Sequence, residues 1–108
     1  MRQAQVIYKK EAAGLLTQLD DGSFVFTYND QWFHDTNKPA ISLTLPKIQQ
    51  EYKSTYLFPF FYNMLPEGSN KQTVCFENRI DTKDHFGILI TTARYDTIGA
   101  IQIKKLDI

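Results

Sequence analysis

The chain has 108 residues, of which 43% are apolar, 22% charged and 14% aromatic, and its formal net charge is zero. A chain of this size buries about two-thirds of its unfolded surface in one core, and such a composition excludes disorder, low complexity and collagen-like repeats. The densest basic groups are only Lys9-Lys10 and Lys104-Lys105, so the basic stripe of a domain that binds nucleic acid by itself is missing.

The expected elements begin with strands. From Ala4 to Tyr8, Ala4, Val6 and Tyr8 share one face. Leu15 to Leu19 and Phe24 to Tyr28 flank Asp20-Asp21-Gly22-Ser23, and two β-rich runs around Asp-Gly predict a hairpin. Ile41 to Leu45 alternates and reads as a further strand, which Pro46 stops.

The period then changes. Leu57, Phe60, Phe61, Met64 and Leu65 recur at helical spacing, with Ser54 or Thr55 as the expected cap, Pro59 in the first turn if Thr55 is the cap, and Pro66 as the terminator. Ser69-Asn70-Lys71-Gln72 has the form of a capping box and predicts a short helix through about Asn78. A third helix is expected from near Thr82, with Phe86, Leu89, Ile90 and Ala93 on one face; its interior Gly87 lowers propensity or else permits close packing. Asp96-Thr97 reads as a turn and Ile98 to Ile103 as the last strand. The fold class is therefore α+β, a small mostly antiparallel sheet or partial barrel with about three short helices, in one domain over 1–108.

Residue chemistry points away from an enzyme. The five glycines are scattered, without a phosphate-binding loop. His34 and His85 lie far apart and lack zinc-ligand spacing, so no metal or cofactor is expected. Cys75 has no second cysteine to pair with and reads as a small buried hydrophobe. Glu67 and Asp84 follow no spacing rule for paired carboxylates and suit helix N-termini. Residues 1–20 contain no signal-peptide core, and no apolar run approaches membrane-spanning length, which predicts a soluble cytoplasmic protein. Trp32, Phe58 and Tyr62 need not all fit inside so small a core, and aromatic side chains left at a surface serve as binding anchors; for Trp32 a lid on the core is the equal alternative.

Several blocks in series carry a resemblance. They are Gly14-Leu15, Phe24-x-Phe26-x-Tyr28, Trp32-Phe33, Pro39-x-Ile41-Ser42-Leu43-x-Leu45-Pro46, Phe60-Phe61-Tyr62-Asn63-Met64-Leu65-Pro66-Glu67-Gly68, Phe86-Gly87-Ile88-Leu89, Arg94-x-Asp96 and Gly99-Ala100-Ile101. Over residues 4–104 this order resembles the N-terminal subdomain of HipA-type toxin kinases. In full-length members a kinase core would begin where this chain ends, at Ile108. The resemblance therefore extends to the free-standing HipS-type subunit of three-component HipBST toxin–antitoxin systems.

It implies a non-enzymatic antitoxin that binds and neutralises a separately encoded HipT/HipA-like serine/threonine kinase. A HipB-like helix-turn-helix protein would join the ternary complex and supply DNA binding. The same resemblance leaves open a module that assembles kinase complexes on DNA without inhibiting them. The expected partner-binding residues are Pro66, Glu67, Gly68, Ser69 and Asn70, where one helix ends and another begins, together with Trp32, Phe58 and Tyr62. Short family members often place a bulky aromatic after Pro-Glu-Gly, where this chain has Ser69. They often have cysteine or serine where it has Thr97.

Overall fold

The computed structural model describes residues 1–93 and 101–106. Five strands form one antiparallel sheet: β1 (Arg2–Tyr8), β2 (Glu11–Gln18), β3 (Phe24–Tyr28), β4 (Glu51–Ser54) and β5 (Ile101–Lys105). Their order is β4-β3-β2-β1-β5, so the chain meanders across four strands and returns to pair β5 with the first. The sheet remains open between β4 and β5. Four helices are described: α1 (Asp30–His34), α2 (Pro59–Tyr62), α3 (Gly68–Asn78) and α4 (His85–Thr92). The α+β class stands, with a partly covered sheet and one helix, α1, beyond the three expected.

Period-two alternation decides which sheet face is covered. Ala4, Leu16 and Phe26 align across β1, β2 and β3, and Val6 aligns with Gly14, Tyr28 and Ile103. These side chains face the helices and are buried. Trp32 of α1 meets Tyr8, Phe61 of α2 meets Phe26, and Phe86 of α4 lies beneath the Arg2 guanidinium. The opposite face carries Gln3, Gln5, Leu15, Val25 and Thr27, each half-buried between its strand neighbours, as expected for an antiparallel sheet with one wet side.

The two hairpin turns are built differently. Asp20 to Ser23 forms the expected turn, with Gly22 at φ +88° and the Asp21 carboxylate accepting the Ser23 N–H at 2.9 Å. Between β1 and β2, Lys9 and Lys10 both adopt positive φ, 47° and 72°. That is the conformation of a two-residue hairpin turn usually given to Asn-Gly, so the Asn-Gly signal is absent where this turn forms. A bulge follows between Val6 and Ile7, opposite Ala12 and Gly14, leaving Ala13 as the extra residue. At Gly14 a Cβ would lie 2.7 Å from both Phe26 Cζ and the Thr27 carbonyl oxygen. Glycine there lets the Phe26 ring cross the sheet surface.

Ile41 to Leu45 is not a strand. The Leu45 N–H donates to the Ser42 carbonyl, and the Ser42 hydroxyl accepts the Thr44 N–H, which folds the segment into a turn. Ile41 and Leu45 point into the core, but Leu43 between them is 99% exposed. Buried polar groups explain the difference. The Tyr28 hydroxyl donates to the Leu45 carbonyl and accepts the Ile41 N–H, Trp32 Nε1 donates to the Pro39 carbonyl, and the Tyr52 hydroxyl donates to the Pro46 carbonyl. The loop's backbone is thus satisfied by aromatic side chains rather than by a neighbouring strand. The fourth strand is instead Glu51–Ser54, a short charged edge paired with β3.

The helices start and stop where their backbones allow. Pro59 holds Phe58 extended, so α2 begins at Pro59 with Phe58 as cap, and neither Ser54 nor Thr55 is the cap. After Tyr62 the chain tightens into i→i+3 bonds from Met64 to Phe61 and from Leu65 to Tyr62. Leu57, Phe58, Phe61 and Leu65 still reach the core, with Phe60 and Met64 against its edge.

The capping box at Ser69 does not form, because Gly68, at φ +58°, already begins α3 with Glu67 as cap. α3 ends as expected at Asn78, where left-handed Arg79 closes it and the Ile80 N–H donates to the Cys75 carbonyl. Before α4, the Asp81 carboxylate accepts the Lys83 N–H and makes a turn, so Asp84 rather than Thr82 caps the helix. The expected turn at Asp96-Thr97, Arg94, Gly99-Ala100 and the first part of the Ile98–Ile103 strand lie outside the described residues.

Candidate partner-binding surface

The segment from Pro66 to Asn70 joins α2 to α3: Pro66 and Glu67 lie between the helices, and Gly68, Ser69 and Asn70, expected as part of the turn, form the first turn of α3. Pro59 is the first of the four residues of α2, Pro66 follows beyond its end, and Gly68 in its left-handed conformation swings the chain into the next helix. Glu67, Gly68, Ser69 and Asn70 are exposed and Pro66 is half-buried. Tyr62, Leu65, Pro66, Glu67, Gly68 and Lys71 line a shallow cleft of about 270 Å³. Leu65 forms its apolar floor, the half-exposed Tyr62 ring one wall, and Glu67 and Lys71 bring opposite charges to its lining. Nothing lies within 4 Å of a Cβ built on Gly68, so a partner can approach the backbone there directly.

The aromatic residues expected beside this turn divide. Tyr62 is 50% exposed, and its ring stands edge-on to His85 at 5.3 Å. Trp32 and Phe58 are only 4% and 7% exposed, which corrects the expectation of a surface anchor for Phe58 and, of the two alternatives for Trp32, favours the lid on the core. Trp32 is fixed by its indole N–H on the Pro39 carbonyl, by Tyr8 at 5.5 Å and by Lys38, whose ammonium lies 5.4 Å from the ring centre. Phe58 packs against Phe61 at 6.2 Å. Trp32 is taken into the core by the 39–46 loop, whose Pro39 carbonyl accepts its indole N–H, and Phe58 by the neighbouring ring of α2.

Other exposed apolar side chains were not marked as surface features by the sequence. Leu43, Ile48, Tyr56 and Phe76 are at least 79% exposed. Leu43 alternates with two core residues and so reads as core. Phe76 follows buried Cys75 on a helix where no other residue is buried. For Tyr56 the only signal was its place just before an apolar helix.

The residues of a conceivable enzyme remain scattered. His34 lies in α1 against Phe33, His85 opens α4, and Cys75 is buried in α3. Among the described residues no three His, Cys, Asp or Glu side chains gather as metal ligands. Asp84 is occupied structurally: its carboxylate takes a bidentate pair from Arg2, at 2.6 and 3.0 Å, and accepts the Gly87 N–H at 3.0 Å. The Arg2 hydrogen bond holds its carboxyl below the ordinary value of 3.8, with the Gly87 N–H adding to the effect against partial burial. A Cβ on Gly87 would fall 2.4 Å from this carboxylate, so the glycine provides close packing. No described helix is long and apolar enough to cross a membrane.

Known proteins share this arrangement over its whole length. A solved structure described as the N-terminal domain of HipA toxin superposes with a TM-score of 0.72 and 29% identity, covering 99% of this chain and 94% of that one. An uncharacterized protein of Haemophilus influenzae is 33% identical over 97% of this chain and 93% of its own length. "Putative kinase Y4mE" of Sinorhizobium fredii is 27% identical over 99% of this chain, which spans 25% of that longer protein. Residues 4–104 match the family described as HipA N-terminal domain. With its meander, its aromatic-stapled loop and its Pro-Glu-Gly turn all inside that match, the chain belongs to the HipA N-terminal domain family.

Proposed function

We propose that the chain is the antitoxin or regulatory subunit of a separately encoded HipT/HipA-like serine/threonine kinase, which it binds and neutralises in the cytoplasm without chemistry of its own. The observation that carries this reading is the whole-chain likeness to the N-terminal domain of HipA toxin. The matched part is a module of the toxin other than its kinase core. A second support is the Haemophilus relative, in which the same domain makes up nearly the entire protein. A domain of this family supplied as its own chain can occupy the place that the fused domain occupies beside a kinase.

The contact runs through the exposed turn Pro66–Asn70 and the neighbouring Tyr62. Ser69 is a small polar side chain, so the turn offers backbone and a shallow cleft rather than an aromatic plug. Inhibition is then steric and conformational: the docked module favours a kinase conformation that excludes substrate. A HipB-like helix-turn-helix protein completes the complex and supplies its DNA contact. The expressed kinase alone, and the kinase with this chain, should give opposite growth phenotypes, and the pair should co-purify. Binding without rescue would make the chain an assembly module instead. The absence of both rescue and binding would overturn the proposal.

A further inference from the structure

Tyr62 separates the cleft at the Pro66–Asn70 turn from a second one of about 270 Å³. Four separate stretches of chain build this second cleft: the turn after β2 with Gly22, the segment Thr55-Tyr56-Leu57 before α2, Tyr62 itself, and Lys83 and His85 at the start of α4. Two of its walls are aromatic and open to solvent, Tyr56 at 79% and Tyr62 at 50% exposure. Lys83 is exposed and makes no ion pair among the described residues. Among the described residues no aspartate or glutamate lines the cleft. Asp84, between Lys83 and His85 in sequence, has both carboxylate oxygens on Arg2.

We propose that this second cleft is a further part of the docking surface and takes a carboxylate-bearing segment of the partner kinase, its acidic side chain on Lys83 and its apolar neighbour between Tyr56 and Tyr62. The inference rests on the kinase-binding function proposed above. Its chemistry follows from the lining. An exposed ammonium with no ion-pair partner among the described residues, beside two partly exposed aromatic rings, is complementary to an acidic side chain with an apolar neighbour. The shared Tyr62 wall makes the cleft continuous with the Pro66–Asn70 turn, so a single partner segment can run across both.

The test measures binding of the full chain to the purified partner kinase by calorimetry at low and high salt. Lys83→Glu should weaken binding about tenfold and Lys83→Gln about threefold, with a shallower salt dependence than the native chain. Tyr56→Ala should weaken binding about tenfold at both salt concentrations. All three side-chain changes are at exposed positions, and unchanged urea midpoints would show that the variants fold. If the native chain binds and the variants bind within twofold of it, the second cleft is not part of the interface, while the kinase-binding function stands. If the native chain does not bind the kinase, both readings fall together.

Discussion

The Tyr28 hydroxyl lies beneath the 39–46 loop, where it serves two backbone groups at once. It donates to the Leu45 carbonyl and accepts the Ile41 N–H at 3.1 Å, and both of those residues are buried. Tyr28→Phe keeps the ring and leaves two buried polar groups without a partner. The expected loss is about 2 kcal/mol, read as a lower urea midpoint at unchanged slope; a midpoint equal to the native one would mean that water replaces the hydroxyl. Burial also raises the Tyr28 phenol above its ordinary value of 10.0. A group whose pKa rises on folding contributes stability below its unfolded pKa and loses it as pH climbs through the folded value. The native chain should therefore lose stability in strong alkali more steeply than the Phe variant.

Single residues also show where sequence reading reached its limit. Leu43 alternates with Ile41 and Leu45, and alternation alone makes all three core. A strand needs a neighbour for its backbone, however, and here the aromatic side chains Tyr28, Trp32 and Tyr52 take that part. Such long-range pairing has no local signature. The Pro66–Asn70 turn, by contrast, was legible from two prolines and a glycine, because those residues act through their own backbone.

At the scale of elements, β1 and β3 and the end of α3 followed from period and turn residues, while β4 did not. Glu51–Ser54 has no apolar alternation, and only its pairing to β3 makes it a strand. The cap of α3 lies two residues before the expected one for a reason of the same kind: Ser69 has the chemistry of a cap, but Glu67 takes that place and left-handed Gly68 already begins the helix. α3 itself buries only Cys75 and leaves Phe76 87% exposed. A helix with so little apolar contact opens at lower free energy than the sheet. Its amides should exchange with deuterium well before those of β1 to β3, and equal protection would show that it is held by something more than Cys75. Phe76→Ser should change stability by less than about 0.5 kcal/mol. A larger loss on urea unfolding would mean that the ring has a partner within the chain.

For the whole molecule, one ion pair joins the beginning of the fold to its last helix. Arg2 in β1 reaches across 82 positions to Asp84 at the cap of α4, donates to the Gln18 side-chain carbonyl and lies 5.0 Å from the Phe86 ring centre. The pair is about one-third exposed on each side, so its contribution is held to about 1 kcal/mol by solvent screening. Asp84→Asn separates its two roles, because an asparagine oxygen can still accept the Gly87 N–H while the charge is gone. Asp84 has a lowered native pKa, through Arg2 first and the Gly87 N–H next. Its charge therefore stabilises the fold above the unfolded value of 3.8 and ceases to do so as pH falls through the lowered native value. Near neutrality the Asn variant should unfold at lower urea than the native chain, and the two curves should converge as acid protonates Asp84. A gap that persists at the acid end would assign the loss to the cap or to packing around Gly87 rather than to the charge. With zero net charge the chain has little global repulsion to add at pH 7, and this local pair loosens α4 from the sheet only once pH falls below the ordinary carboxyl value of 3.8 and through the lowered native one.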